Sequence, residues 1–232
     1  MQEDKPVRVR RFYSVDVEGI TDYTGQPPIA VGIVKMDTDG NLLDVFYESI
    51  PNNSSEIEVG GGALDWWHSS PELTTMFNDM RPTCTHTTSM AAKLIQWAGA
   101  HGCKAKTEKP MVWSDNPGYD IGAIGALLDT FGNTKPLRAL LAGNTYGNEM
   151  AIDDYMDGLR RINSGVSRQF DLFETESIAE TDSMLGEVVA LMPDENNKAY
   201  TIKHWRRHHP VWDALQLALW AIKGLKFLEI EL

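Results

Sequence analysis

Asp16 and Glu18 stand two residues apart near the end of an apolar run that includes Val15 and Val17. In an extended strand that spacing puts both carboxylates on one face, roughly 7 Å apart along the chain, and turns the valines to the other. Like charges held this way repel and lose hydration, and a divalent cation between them removes both penalties. An edge strand with a solvated polar face is the other way to accommodate the pair. Asp120 is the only charge between Tyr119 and Leu128, directly after a strand. It either joins a cation site or complements the positive end of a helix. Asp213 has fewer options. From Val211 to Ile222 the only polar side chains are Asp213 and Gln216, while Trp212, Leu215, Leu217, Leu219, Trp220 and Ile222 go round the cylinder. A helix apolar on all sides is buried, so an ionised aspartate there needs a cation or a buried partner such as Arg206 or Arg207. Three separate segments thus offer carboxylates that gain from a cation. Oxygen donors select hard ions such as Mg²⁺ or Mn²⁺ over zinc, and no cysteine–histidine cluster competes.

The elements that must position these acids follow from pattern. Val7–Val17, Ile29–Met36 and Asn41–Ile50 read as strands, with Asp37–Gly40 as the turn of an antiparallel meander. Gly60–Gly62 marks a loop leading to Ala63–Trp67 and to a short helix opening at Ser70-Pro71-Glu72, where serine caps and proline takes the first turn. Thr87–Gly99 is predicted to be helical, with Met90, Leu94, Ile95 and Trp97 among its apolar positions. Pro110–Ser114 reads as a short buried strand and Tyr119–Phe131 as a helix closed by Gly132. Beyond Asn133 the pattern weakens: Ala151–Ile162 reads as helix, Gln169–Phe173 as strand and Pro193–Lys198 as loop. A last helix runs from Pro210 towards Lys226. Strands first and helices interleaved later indicate an α/β architecture, a mixed β-sheet with helices on its faces.

At 232 residues and 25.9 kDa, with 42% hydrophobic residues, the chain suits a single domain, 1–232, with a variable insertion-like region around 133–199. The formal net charge of −12 argues against holding nucleic acid by bulk electrostatics, though not against a local grip on one strand end. No apolar stretch reaches the roughly 20 residues that span a bilayer, and Met1–Lys5 lacks an apolar signal core. A cytoplasmic location, without membrane association, is expected. Cys84 and Cys103 are expected to be free thiols, with a disulfide as the alternative.

Val15-Asp16-Val17-Glu18, Asn116-Pro117-Gly118-Tyr119-Asp120-Ile121 and His208 followed by Asp213-Ala214 resemble, in order, the three motifs of the DEDDh exonuclease superfamily: Asp-x-Glu, Asn-x-x-aromatic-Asp and His-x4-Asp-Ala. They span almost the whole chain. Leu64-Asp65-Trp66-Trp67-His68-Ser69-Ser70-Pro71-Glu72 is similar to a segment of the phage exonuclease A type and its exoribonuclease relatives, for which the host cytoplasm is the location implied if the chain is phage-encoded. The resemblance implies a ribonuclease-H-like fold, two Mg²⁺ or Mn²⁺ ions held by Asp16, Glu18, Asp120 and Asp213, and 3′–5′ hydrolysis that releases 5′-mononucleotides. His208 would be the general base, a role its pKa near working pH suits. His209 is a rival for it, four residues before Asp213, where a sister subfamily carries tyrosine. The implied substrate is a single-stranded DNA or RNA 3′ end, and a homodimer is left open.

Gly19 departs from the threonine or serine usual after the glutamate, which removes one contact to a terminal nucleotide. Asn116 belongs to the second motif and, with Gly19, Trp66, Trp67 and Arg207, is a candidate substrate-binding residue. Lys203, Arg206 and Arg207 precede His208 and either meet backbone phosphates or form a solvated turn. Trp66 and Trp67 either stack on a base or enter the core. Asp115 is read as a loop residue, and Asp171 as a structural hydrogen-bonding acid. A degenerate exonuclease fold serving as a binding or interaction module is the alternative to an enzyme; such modules lose metal ligands, and all four acids and the histidine are present here.

Overall fold

The computed structural model describes residues 9–23, 25–104, 108–114, 116–142, 167–191 and 207–227. Within them the chain runs β1 (Val9–Glu18), β2 (Ala30–Met36), β3 (Leu42–Ser49), α1 (Ala63–Trp67), α2 (Pro71–Asp79), α3 (Thr87–His101), β4 (Glu108–Trp113), α4 (Pro117–Thr130), α5 (Leu137–Ala142), α6 (Ser167–Ala190) and α7 (Pro210–Phe227). The sheet order is β3-β2-β1-β4. The first three strands form the antiparallel meander, and β4 joins β1 in parallel. A parallel neighbour needs a crossover connection, and α1 to α3 lie on it. Ser70 caps α2, its hydroxyl accepting the Leu73 N–H at 3.2 Å, and Pro71 opens the first turn.

Alternation along β1 sets the layers. Tyr13, Val15 and Val17 join Val31 and Ile33 of β2 in a core closed by Met90 and Leu94 of α3 and Ile124 and Leu127 of α4. Phe12 lies on the other face with Val34, Met36 and Met111, covered by Val211, Leu215, Ala218 and Ile222 of α7 and Val188 of α6. The result is a mixed sheet with helices on both faces, in keeping with a ribonuclease-H-like fold. The apolar surround of α7 is explained by its position between the sheet and α6.

One glycine allows α7 to approach. Gly32 pairs with Asp16 across the sheet, and a Cβ there would collide with the backbone of Pro210 and Val211. Its absence lets the first turn of α7 seat directly beside Asp16.

One expected strand is corrected. Gln169–Phe173 lies inside α6, a 24-residue helix. A short apolar run does not distinguish helix from strand. Packing decides: Ser177, Thr181 and Val188 are buried at helical spacing, with Phe173 and Met184 packed partly against the core. The helix expected at Ala151–Ile162 and the loop at Pro193–Lys198 lie outside the described residues. Cys84 and Cys103 are both buried and are not joined. No helix among the described residues is long and apolar enough to cross a membrane.

Candidate active site

β4 ends at Trp113, opposite Ser14 of β1, so Asp16 and Glu18 continue beyond its last pairing. In α/β sheets the crevice outside the carboxyl ends of strands is the usual ligand position. The seating of α7 brings Asp213 into the same crevice. Carboxylate oxygens of Asp16, Glu18 and Asp213, each half-buried, lie within 4.8 Å of one another. Asp213 is in the first turn of its helix, where the helix dipole favours a negative charge. Its Oδ2 accepts the backbone N–H of His208 at 2.8 Å. His208 itself has φ of 69°, a left-handed conformation that a non-glycine residue adopts only under constraint.

Asp120 lines the same cavity, of about 490 Å³, but stands outside the three-carboxylate cluster. It is buried in the first turn of α4, and its Oδ2 accepts the hydroxyl of Ser114. Ser114 Oγ in turn accepts the Asn116 N–H at 3.1 Å, so the end of β4 and the start of α4 are tied through one carboxylate. Glu174 and Ile178 of α6 and Gln216 of α7 complete the far wall, with Gln216 Nε2 donating to Ser177 Oγ at 3.1 Å.

The adjacent histidines occupy different environments. His208 lines the cavity, half-buried, with its ring edge-on to Trp66 at 5.1 Å. Burial lowers its pKa, the Arg207 guanidinium lowers it further, and Glu72 opposes both. His209 is buried behind it, 4.7 Å from the Tyr47 ring, with Nδ1 accepting the Val211 N–H at 3.3 Å. Burial holds it well below the ordinary histidine range and so keeps it neutral.

The tryptophans divide similarly. Trp67 is 1% exposed, packs at a tilt against the Phe77 ring, and donates its indole N–H to the Gly19 carbonyl at 2.9 Å. Trp66 is 42% exposed and faces the cavity. A second groove, of about 770 Å³, adjoins the first; the two share Val17, Glu18, Trp66, Asn116 and Tyr119. Gly19 lies in the second groove and Arg207 in the first. A Cβ on Gly19 would collide with the Tyr119 hydroxyl, which donates to the Thr21 carbonyl at 2.7 Å. The residue that departs from the usual motif therefore makes room for a tyrosine. Burial first, and Glu18 next, push the Tyr119 pKa up to about 12, so it stays protonated.

Asp171 falls within α6; Asp115, Lys203 and Arg206 lie outside the described residues. Sequence reasoning missed Ser114 and Glu174 and counted Tyr119 only as the motif's aromatic. Ser114 carries no sequence signal beyond closing a strand, and Glu174 reaches the cleft only because α6 is helical.

Oxygen donors from β1 and α7 form a cluster whose chemistry fits a hard divalent cation. The fold and this cleft together define an α/β protein of ribonuclease-H-like architecture with an acidic, cation-suited crevice at the end of its sheet. The chain belongs to the Rv2179c-like 3′–5′ exoribonuclease domain family, whose model matches residues 11–221 and so includes every acid named above. No curated protein matches the chain.

Proposed function

We propose that the protein is a DEDDh-type 3′–5′ exonuclease that removes 5′-mononucleotides from single-stranded 3′ ends, with RNA as its substrate. The observation that carries this reading is the convergence of Asp16, Glu18 and Asp213 from opposite ends of the chain in one cleft beside His208. The family's description as 3′–5′ exoribonucleases supports the direction and the choice of RNA. Asp16, Glu18, Asp120 and Asp213 would hold two Mg²⁺ or Mn²⁺ ions, which when bound neutralise phosphate charge and favour deprotonation of water.

His208 would take that proton. It lines the cavity, and its lowered pKa leaves the imidazole neutral and able to accept. Water attacks the terminal phosphorus, its proton passes to His208, the bond from phosphorus to the 3′ oxygen breaks, and that oxygen takes up a proton from solvent. The shortened strand keeps a 3′-hydroxyl. The N–H···O bond from His208 to Asp213 fixes the base relative to the acidic cluster. Arg207, exposed at the cavity wall, is suited to a backbone phosphate. Trp66, exposed on the wall of both grooves, is suited to stack on a base, and Asn116 lines both grooves as well.

The test is digestion of matched 5′-labelled RNA and DNA oligonucleotides with Mg²⁺ or Mn²⁺. The expected result is stepwise shortening from the 3′ end, faster on RNA, with 5′-mononucleotides as product. Internal cleavage, or no cleavage of either strand, would overturn the reading.

A further inference from the structure

We propose that the second groove is where ribose is told from deoxyribose, and that Asp22 accepts a hydrogen bond from a sugar hydroxyl seated there. The inference rests on the exonuclease reading above and extends it to a residue outside the three motifs.

Residues 19–22 follow β1 directly, and three other segments pin them. Trp67 donates its indole N–H to the Gly19 carbonyl at 2.9 Å, Tyr119 donates its hydroxyl to the Thr21 carbonyl at 2.7 Å, and the Gly62 N–H donates to Asp22 Oδ2 at 2.6 Å. The Gly60–Gly62 run fits closely around this turn. Gly61 has φ of 65°, and a Cβ on it would collide with the Asp22 carboxylate; a Cβ on Gly60 would press on the Tyr23 ring at 2.5 Å. The carboxylate of an exposed loop residue is thus held in place by glycines that only their own lack of side chain permits.

Asp22 and Glu18 line the same groove, along with the rings of Trp66 and Tyr119. A carboxylate in that wall repels phosphate and can only accept, so the group it takes from a nucleic acid is an O–H or N–H donor. Base donors change with sequence. The sugar hydroxyl recurs at every ribonucleotide, and the 2′-hydroxyl separates RNA from DNA. A pinned acceptor that opens on the acidic cluster through Glu18 and Tyr119 is therefore suited to reading sugar rather than sequence.

The experiment measures kcat/KM on RNA oligonucleotides carrying a single 2′-deoxynucleotide at the last, penultimate or third position from the 3′ end. Wild type, Asp22→Ala and Asp22→Asn are compared. In wild type, 2′-deoxy substitution at one of these positions lowers kcat/KM by about tenfold or more, chiefly through KM, as loss of a charge-assisted hydrogen bond does. In Asp22→Ala that penalty disappears. In Asp22→Asn, which keeps an acceptor for the Gly62 N–H, it shrinks to about threefold, because a neutral hydrogen bond is roughly half as strong. Asp22→Asn decides the matter if Asp22→Ala fails to fold. Equal penalties in wild type and variants, or none at any position, would overturn the role of Asp22 while leaving the exonuclease intact. A wild type that digests no oligonucleotide would reject the exonuclease reading itself.

Discussion

The two faces of β1 differ in kind although they share ten residues. Tyr13, Val15 and Val17 enter a continuous apolar core, each less than a tenth exposed. Phe12, Ser14, Asp16 and Glu18 pass from a buried ring to two half-buried acids over the same length of chain. The dry face joins one core with residues of α3 and α4. The other is covered by α7 only as far as its first turn, and β4 stops at the level of Ser14. Period-2 alternation lets one strand carry stability on one side and chemistry on the other. A charge can stand at the end of the second face because packing ceases there.

That separation should show in mutants. The largest effect is expected from Asp213→Asn, on the chemical side: kcat/KM falls at least about a thousandfold, several kcal/mol of transition-state stabilisation. Without added metal the melting temperature stays level or rises, because asparagine removes the repulsion with Asp16 and Glu18 and still accepts the His208 N–H. Mn²⁺ is expected to raise the wild-type melting temperature, as a ligand of the folded state does, and to raise that of the variant less or not at all. A variant with near-normal activity would break the division. Ile33→Ala, on the dry face, is expected to do the reverse. Removing a fully buried branched side chain costs about 2–5 kcal/mol in urea unfolding, while activity per folded molecule is retained.

The smallest effect concerns pH. In the proposed mechanism the neutral form of His208 accepts the proton, so activity is expected to fall as pH drops through its pKa. Burial and Arg207 lower that pKa, which places the acidic limb of the kcat/KM profile below 6.5, the ordinary histidine value. Arg207→Gln removes one of these causes and shifts the limb upward. A limb that does not move would assign it to another group.

The positions of Asp16, Glu18, Asp120 and Asp213 on a strand end and two helix starts were legible from local pattern, as were the meander, α4 and α7. Local chemistry is enough for such features: alternation exposes paired acids, and a lone aspartate in an apolar helix stands out. Gln169–Phe173 was misassigned because its run is short, and only packing against α7 made it helical. The choice between His208 and His209 was beyond pattern, since both sit beside the same helix start.

The sequence by itself determined which residue types meet at the ends of which elements, because propensity and periodicity act within a few residues. Tertiary structure alone decided the rest: that Gly32 admits α7 to the sheet, that Asp120 is tied to Ser114 outside the cluster of three, that His209 turns to Tyr47 while His208 faces the cleft, and that Gly19 yields to Tyr119. Each of these depends on backbones distant in sequence approaching to van der Waals contact, and close packing, rather than composition, sets which side chains have room.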